Sequence, residues 1–219
     1  MISPKDSYHL RFSEKERIEK NIIWKELCKH FFQRYVYNDD TIIDIGAGYC
    51  EFINNISAKR KIAVDLNPDT GRYARKNVEV LQSSAFAIPK IYDGKMDIVF
   101  MSNFLEHLNS KEDVFSLLKR AHQLLRNQGR IIILQPNISL VKERYWDFFD
   151  HKVPLNDRSL KEALTLANFC QIKVIKRFLP YSTKCCVLPN HSFILSLYLS
   201  IPPWIRPLAG QSFFVGLRA

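Results

Sequence analysis

Apolar and polar residues alternate along the chain in blocks that predict strands and helices in turn. Short apolar runs typical of buried strands lie at Thr41–Ile45, Lys61–Asp65, Val78–Gln82, Met96–Met101, Arg130–Ile133 and Gln171–Phe178. Helical patterns cover residues 13–37, 70–76, 111–125 and 157–169. Strands that alternate with helices form a mostly parallel sheet with helices on both faces. The sequence therefore predicts an α/β fold.

Two glycines follow the first predicted strand and suggest a ligand site. Gly46 and Gly48 separate that strand from a helical pattern that starts at Phe52. Because glycine has no Cβ, a ligand can approach the backbone N–H groups at the start of the helix. Asp65 ends the second strand, about 20 residues after the first glycine, where an acidic residue can bind ribose hydroxyls. A turn that merely needs small residues is the alternative, but the combination favours a nucleoside site.

Glu51 restricts the kind of nucleoside ligand. It occupies the position of the third glycine in the dinucleotide fingerprint, so a negative charge stands where a pyrophosphate would lie. The chain also lacks the G-x-x-x-x-G-K-[ST] motif of P-loop NTPases. S-adenosylmethionine, a nucleoside with a sulfonium and an amino-acid tail but no phosphate, fits better. A nicotinamide-dependent oxidoreductase is disfavoured on the same grounds.

Five segments, in this order, resemble the motifs of class I S-adenosylmethionine-dependent methyltransferases. They are Asp44–Gly48, Asp65–Asn67, Ser83–Pro89, Met96–Leu108 and Leu124–Ile133. The resemblance covers roughly residues 40–178 and implies a Rossmann-like, mostly parallel seven-stranded sheet. Gln211–Leu217 resembles the antiparallel last strand of that family. The chain departs from the family at Cys50, where many members have glycine, at Ser84, where many have an adenine-binding aspartate, and at Asn127–Gln128, which replaces Lys-Pro.

Residues just past the predicted strand ends are the expected cofactor contacts, because ligands of parallel sheets bind at the carboxyl edge. The motifs and this rule together predict contacts to S-adenosylmethionine, and to its product S-adenosylhomocysteine, from Asp44, Gly46, Ala47, Gly48, Asp65, Leu66, Asn67, Ser84, Ala85, Ser102 and Asn103.

The length of 219 residues predicts one methyltransferase domain. Within it we expect an N-terminal helical cap (1–38), a cofactor-binding core (39–178), an irregular apolar lid or interaction segment (179–210) and a last strand (211–219). Ser13 and Glu16 form a candidate capping box for the first helix. Its apolar face is predicted from the spacing of Ile18, Ile22, Ile23, Leu27, Phe31 and Tyr35. Tyr8, Arg11 and Arg17 are candidate partners of the cofactor's carboxylate.

Residues 145–152 concentrate aromatic, acidic and histidine side chains after the fifth strand. A hydroxyl acceptor must lose a proton, and histidine is the usual base near neutral pH. His151 is the first candidate for a catalytic base and His107 the second, while Tyr145 and Asp147 are predicted to orient the acceptor. An aromatic cap over the core with a surface histidine is the alternative.

The C-terminal part carries a narrower resemblance. Phe178–Lys184, Tyr198–Trp204 and Gly210–Val215, with Ser102–Leu108, look like bacterial methyltransferases associated with surface-glycan and lipopolysaccharide assembly. This resemblance implies a sugar or lipid-linked sugar as acceptor. A C-methyltransferase, a small-molecule N-methyltransferase, or a non-catalytic S-adenosylmethionine- or nucleoside-binding regulatory or assembly subunit remains an alternative. Ser84, which stands where many family members have an adenine-binding aspartate, favours the non-catalytic subunit.

Composition restricts the class of binding partner, the state of the cysteines and the expected location of the protein. The net charge of +10 is spread along the chain, which disfavours a dedicated nucleic-acid surface and suits an acidic acceptor. Five cysteines without C-x-x-C spacing, and histidines without H-x-x-x-H, predict free thiols and no metal. The polar N-terminus and the lack of an 18-residue apolar run predict a cytoplasmic protein without a transmembrane span. Peripheral contact of residues 181–210 with the inner membrane face, and a homo-oligomer, are left open.

Overall fold

The computed structural model describes residues 13–181 and 192–219, without the side chains of 192–194. The strands are β1 (Thr41–Ile45), β2 (Arg60–Asp65), β3 (Val78–Gln82), β4 (Met96–Ser102), β5 (Leu125–Pro136), β6 (Phe169–Pro180) and β7 (Ala209–Arg218). The α-helices are α1 (Glu14–His30), α2 (Glu51–Asn55), α3 (Thr70–Tyr73), α4 (Lys111–Leu124), α5 (Ile138–Val141), α6 (Asp157–Leu166) and α7 (Ser192–Ser200). Short 3-10 helices lie at Phe32–Arg34, Ala85–Ala87, Lys90–Tyr92, Leu105–His107, Lys142–Asp147 and Pro203–Ile205.

The described chain forms two compact units. The first contains residues 13–88 and 192–200, and the second contains residues 89–181 and 201–219. The boundary at Ile88 falls inside the predicted core of residues 39–178. The single domain and its four segments stay a prediction.

The first unit is built on three parallel strands in the order β3-β2-β1. Thr41 to Ile45 pair with Arg60 to Val64, and Lys61 to Asp65 pair with Val78 to Gln82. The central residues of β1 and β2 are fully buried, as their continuous apolar runs indicate for a parallel sheet. Because the three strands run the same way, the residues that follow them emerge at one edge.

Helix α1 begins with the predicted capping box. The Ser13 hydroxyl accepts from the Glu16 N–H at 3.3 Å, and the Glu16 carboxylate accepts from the Ser13 N–H at 2.8 Å. The predicted apolar face is wrong at Ile18 and Ile22, which are exposed. The helix instead buries Ile23, Trp24, Leu27 and Cys28, because Trp24 stacks on Phe32 and meets Phe52 edge-on.

The second unit has the strand order β4-β5-β7-β6. β4 and β5 are parallel, and β7 runs antiparallel to both β5 and β6. Helix α4 starts at its N-cap Ser110, whose hydroxyl accepts from the Asp113 N–H at 3.1 Å. It buries one face made of Val114, Leu117, Leu118, Ala121 and Leu124, which recur at helical spacing within the predicted range 111–125.

Helix α6 begins after its N-cap Asn156, and Ser159 completes the capping box from within the helix. Two local predictions in the C-terminal half need correction. Residues 192–200 form α7 and are not irregular, although part of the predicted segment 179–210 lies outside the described residues. β6 begins at Phe169, earlier than Gln171. Within the described ranges no helix is both long and apolar enough to cross a bilayer.

Candidate active site

The loop after β1 depends on left-handed backbone conformations. Gly46 has φ 77° and Gly48 has φ 52°, values that favour glycine. Cys50 also has a positive φ of 63°, a conformation that glycine adopts at less cost than cysteine. The Gly46 N–H donates to the Val64 carbonyl at 2.9 Å, so the loop is tied to β2.

Asp65 joins this loop to the end of β2. One carboxylate oxygen accepts from the Gly48 N–H at 2.7 Å, and the other accepts from the Asn67 N–H at 2.8 Å. Thr70 adds a third link, because its hydroxyl donates to the Gly48 carbonyl at 2.8 Å. A carboxylate offers about four acceptor positions, so Asp65 retains capacity for ribose hydroxyls.

Three carboxylates surround the glycine loop. Burial raises the pKa of Asp44 well above its ordinary value, and the charges of Asp65 and Glu51 raise it further. Burial also raises the pKa of Asp65, against the lowering effect of the N–H groups of Asn67, Gly48 and Leu66. Glu51 is paired with Lys20 at 2.9 Å. A cation bound beside these carboxyl groups would favour their charged forms, whereas a phosphate would disfavour them.

The other predicted contacts of the first unit differ in exposure. Asn67 is buried, and its Nδ2 finds no hydrogen-bond partner in the described part of the chain. Leu66 is 57% exposed, while Ala47 and Ala85 are buried. Ser84 follows β3 and caps the 3-10 helix at Ala85–Ala87 by accepting from the Phe86 N–H at 3.3 Å.

Arg17 of α1 lies over the glycine loop. Its guanidinium is 5.5 Å from the ring centroid of Tyr49 and 5.4 Å from that of Tyr73, and it donates to the Tyr73 hydroxyl. Its Nε is buried and has no partner among the residues described. The other two candidates for the cofactor's carboxylate, Tyr8 and Arg11, lie outside the described residues.

Ser102 and Asn103 end β4 in the second unit. The Asn103 N–H donates to the Leu134 carbonyl at 2.9 Å, and its side chain donates to the Ser102 hydroxyl at 3.2 Å. Asn103 has φ 48°, a left-handed conformation that asparagine tolerates better than most residues.

Glu106, His107 and His151 form a cluster in the second unit. One oxygen or nitrogen from each lies within 4.8 Å of the other two. The backbone fixes this arrangement, because the N–H groups of Lys152 and Val153 donate to the Glu106 carbonyl at 2.7 and 3.2 Å. The two imidazole rings meet edge-to-face with centroids 5.1 Å apart. We call these three residues the Glu-His-His cluster.

Glu106 is the most buried member, with 1% of its surface exposed. Burial raises the pKa of its carboxyl group, and His107 is the largest opposing influence. Gln135 also opposes the shift, although no hydrogen bond of normal geometry joins it to the carboxylate. Oε2 of Glu106 is buried without a hydrogen-bond partner among the described residues.

Each histidine of the cluster has an oxygen beside Nδ1. Nδ1 of His107 lies 3.3 Å from both the backbone oxygen and Oδ2 of Asp150, and Nε2 faces Oε1 of Glu106 at 4.0 Å. Nδ1 of His151 lies 3.5 Å from the Tyr181 hydroxyl. The His151 ring stacks on Phe148 with centroids 4.9 Å apart.

The two residues predicted to orient an acceptor differ in availability. Tyr145 is fully buried, and its hydroxyl donates to the Val153 carbonyl at 2.5 Å. Burial is the main reason that the pKa of Tyr145 is raised. Asp147 is exposed, 4.0 Å from Arg144. An acceptor can therefore reach Asp147 directly, whereas Tyr145 already has a partner.

Part of the sequence that forms this site matches a known protein family. Residues 43–133 match the family model described as "Methyltransferase domain". The match spans 91 of the 219 residues, and together with the methyltransferase structures that share the fold it supports an S-adenosylmethionine-dependent methyltransferase. The matched range includes the glycine loop, Asp65, Ser84 and the Glu106–His107 pair. No curated protein matches the chain.

Solved methyltransferases share the fold at low sequence identity. A Thermotoga maritima S-adenosylmethionine-dependent methyltransferase, described as a possible histamine N-methyltransferase, is 18% identical with a TM-score of 0.69, over 98% of this chain and 99% of that one. A Haloferax volcanii methyltransferase in complex with the activator Trm112 is 11% identical with a TM-score of 0.70, over 100% and 99%. A Haemonchus contortus N-methyltransferase bound to phosphomonomethylethanolamine and S-adenosylhomocysteine is 15% identical with a TM-score of 0.62, over 100% and 61%. With its seven strands and antiparallel β7, the fold is the predicted class I methyltransferase fold.

Sequence reasoning missed two features of the histidine site. Glu106 lies next to His107 in the segment Met96–Leu108, which resembles a methyltransferase motif. Its association with His151 depends on backbone contacts between distant segments. Asp150 is adjacent to His151 in sequence yet contacts His107. No local spacing rule connects these residues. Gly48, Asp65 and Asn67 do lie together, because the glycine motif and the end of the second strand are separated by a characteristic offset.

Proposed function

We propose that the enzyme transfers the methyl group to a sugar hydroxyl of a surface glycan or of its lipid-linked precursor. The observation that carries this proposal is the pairing of two imidazoles with a buried carboxylate in the Glu-His-His cluster. A hydroxyl must lose its proton as it attacks, whereas a neutral amine attacks without prior deprotonation. A site with adjacent basic groups therefore favours an oxygen acceptor.

The cofactor's residues are proposed to be those predicted from the strand ends. S-adenosylmethionine supplies a methyl group already activated by its sulfonium. Asp65 is proposed to accept the ribose hydroxyls, while the unpartnered Nδ2 of Asn67 and the backbone of Gly46 bind the remaining polar groups. The contact set is Asp44, Gly46, Ala47, Gly48, Asp65, Leu66, Asn67, Ser84, Ala85, Ser102 and Asn103.

The carboxylates near the glycine loop supply electrostatic selectivity. Asp44 is buried and its pKa is raised by its carboxylate neighbours, so a cation placed beside it favours its charged form. The sulfonium and ammonium groups of S-adenosylmethionine are such cations. Arg17, whose Nε lacks a partner in the described chain, is proposed to bind the carboxylate of the amino-acid tail.

His151 is proposed as the proton acceptor, with His107 as the second candidate. Asp150 beside Nδ1 of His107 fixes the tautomer that leaves Nε2 unprotonated. Tyr145 keeps His151 in place, since their ring centroids are 4.8 Å apart. Asp147 is exposed and available to hydrogen-bond an acceptor hydroxyl.

The glycan part of the proposal rests on the C-terminal resemblance and on charge. A net charge of +10 suits an acceptor that carries phosphate or other acidic groups, as lipid-linked sugars do. Trp204, Ile205 and Leu208 in the second unit are more than 60% exposed, which suits peripheral contact with a membrane surface. Location in the cytoplasm at the inner membrane face and assembly into a homo-oligomer stay predictions.

An amine is the second candidate acceptor, because two of the similar structures carry the names of N-methyltransferases. The test is to incubate the protein with methyl-deuterated S-adenosylmethionine and separate sets of nucleotide sugars, lipid-linked sugars and small amines. Mass spectrometry of the products identifies the labelled atom. We expect label on a sugar oxygen, and loss of labelling in His151→Gln but not in His30→Gln.

Label on amine nitrogen alone would overturn the sugar assignment and support the second candidate. Bound cofactor without label on any acceptor would support the non-catalytic subunit. Because one structural neighbour was solved with an activator protein, a cell extract of the source organism is added in a parallel series before that conclusion is drawn.

A further inference from the structure

We propose that the Glu-His-His cluster of Glu106, His107 and His151 binds one divalent transition-metal ion. Two imidazoles and one carboxylate are the protein ligands of several catalytic Zn²⁺ sites, and of Fe²⁺ sites that keep open coordination positions. The cluster offers these three ligands with their nearest ligand atoms within 4.8 Å of one another. The cysteine and histidine spacings predicted no metal, whereas these three ligands come from two distant segments and form no such spacing.

Several buried polar atoms around Glu106 lack hydrogen-bond partners among the described residues, which supports a bound cation. Oε2 of Glu106 has no hydrogen-bond partner among the described residues, and the same is true of both side-chain polar atoms of the neighbouring Gln135. Glu106 is 1% exposed and Gln135 is 2% exposed, so bulk solvent does not reach them. Unpaired polar atoms in such places are rare in folded proteins and often mark an ion or water site. A divalent cation would pair with the carboxylate oxygen directly.

The surroundings orient both imidazoles as metal ligands. Histidines that bind metals usually donate the N–H of their second ring nitrogen to a carboxylate, carbonyl or water. Asp150 provides both a carboxylate and a backbone carbonyl 3.3 Å from Nδ1 of His107. The Tyr181 hydroxyl lies 3.5 Å from Nδ1 of His151. Nε2 of His107 faces Oε1 of Glu106 at 4.0 Å, on the side where the ion is proposed to bind.

Only small movements are needed to complete the coordination. With Zn–N and Zn–O bonds of about 2.0–2.1 Å, tetrahedral ligands lie about 3.3 Å apart. Metal binding therefore requires the present separations, of up to 4.8 Å, to shorten by up to about 1.5 Å. The backbone is already held, because Lys152 and Val153 both donate to the Glu106 carbonyl.

The role of the ion rests on the proposed function, although its binding does not. An ion with an open coordination position can hold an acceptor hydroxyl and lower its pKa, so that the proton leaves to water near neutral pH. The histidines then act as ligands, and His151 is no longer the base. The acceptor oxygen forms its bond to the methyl carbon while the bonding pair of the S–CH₃ bond returns to sulfur.

The first experiment measures metal binding alone, on the full chain after chelator treatment. Co²⁺ and Zn²⁺ are titrated separately and followed by calorimetry, and Co²⁺ is also followed by its visible absorption. We expect one saturable ion per chain. The Co²⁺ spectrum should lack the near-ultraviolet charge-transfer band of thiolate ligands, which separates this site from cysteine sites.

Variants locate the ion. We expect a loss of affinity of more than about 100-fold in Glu106→Gln and His151→Gln, and of about 10- to 100-fold in the orienting variant Asp150→Asn. His30→Gln, at the end of α1, is the control and should bind normally. Glu106→Gln removes a buried charge at equal size, so it should fold; if its melting curve shows otherwise, His107→Gln takes its place.

Absence of a saturable site, or equal affinity in wild type and ligand variants, would overturn the proposal. The two proposals fail separately. Sugar methylation that survives chelation, with no metal binding, would keep the proposed function and leave His151 as the base. Metal binding at the cluster without sugar methylation would keep the metal site and remove the proposed acceptor.

Discussion

The backbone N–H of Gly48 donates to the Asp65 carboxylate across 2.7 Å, which joins the glycine loop to the end of the second strand. Gly48 has a positive φ of 52°, and this conformation points its N–H at the carboxylate. The same carboxylate accepts from Asn67 at 2.8 Å. The loop and the acidic residue that the sequence places at its characteristic offset therefore form one rigid site.

Replacing Gly48 with alanine should damage both stability and cofactor binding. A left-handed conformation costs an L-residue about 1–2 kcal/mol, and the new Cβ would stand where the cofactor is proposed to approach the backbone. Gly94→Ala is a matched control, because Gly94 also has a positive φ, of 68°, and an added Cβ would meet nothing within 4 Å. We expect both variants to lose similar stability in urea melts. Only Gly48→Ala should bind S-adenosylhomocysteine at least about tenfold more weakly, a change of 1.4 kcal/mol. Equal binding by the two variants would contradict the proposed role of the loop.

Asp44→Asn should stabilise the ligand-free protein at neutral pH. Burial and the charges of Asp65 and Glu51 raise the folded-state pKa of Asp44, so the folded state binds its proton more tightly than the unfolded state does. Stability is therefore lost as the pH rises from the ordinary value of 3.8 through the raised pKa. The amide of Asp44→Asn cannot ionise, so the variant keeps the stability that wild type loses as the pH rises through the raised pKa. The difference in stability between the two proteins should vanish at pH values below 3.8.

The same variant should weaken cofactor binding, because it removes the carboxylate that is proposed to lie beside the cofactor's cationic groups. We expect the melting midpoint of Asp44→Asn to rise and its affinity for S-adenosylmethionine to fall. Such a trade-off is common where functional groups in a binding site reduce the stability of the folded protein. Asp39→Asn, which changes an exposed carboxylate, should alter neither. A variant that gains stability and keeps full affinity would show that Asp44 is not part of the cofactor's electrostatic environment.

Arg206 should contribute strongly to the stability of the second unit. Its buried guanidinium donates to the carbonyls of Ile201 at 2.9 Å, Phe178 at 3.0 Å and Arg177 at 3.3 Å. Arg206→Met leaves these acceptors unsatisfied, and we expect a loss of about 2–4 kcal/mol in urea unfolding. Arg158→Met, on the exposed side of α6, should change stability by less than about 0.5 kcal/mol. Similar values for the two variants would contradict this assignment.

Local signals in the sequence predicted most of the fold. The apolar runs of β1 to β3 and the cap formed by Ser13 and Glu16 follow from neighbouring residues alone, and the structure confirms them. The proximity of Gly48 and Asp65 also follows from the sequence, because both come just after neighbouring parallel strands, while their contact with the cofactor stays a prediction.

The features that the sequence did not reveal depend on tertiary packing. Ile18 and Ile22 have helical spacing, but Trp24 and Cys28 turn toward the core and leave them exposed. The association of His151 with Glu106 is set by hydrogen bonds from Lys152 and Val153, which no periodic pattern encodes. Asn156 precedes two other good capping residues, and only the structure distinguishes them.

The most direct test of the central claim is a calorimetric titration of S-adenosylhomocysteine into wild type, Asp65→Asn and the exposed control Asp39→Asn, with NAD as a second ligand. We expect one-to-one binding of S-adenosylhomocysteine to wild type and to the control, and no binding of NAD. Asp65→Asn should bind about 10- to 100-fold more weakly, because it replaces a charged acceptor of hydrogen bonds worth about 1.5–3 kcal/mol. Undiminished affinity in Asp65→Asn, or binding of NAD in place of S-adenosylhomocysteine, would contradict the account of how this site recognises its cofactor.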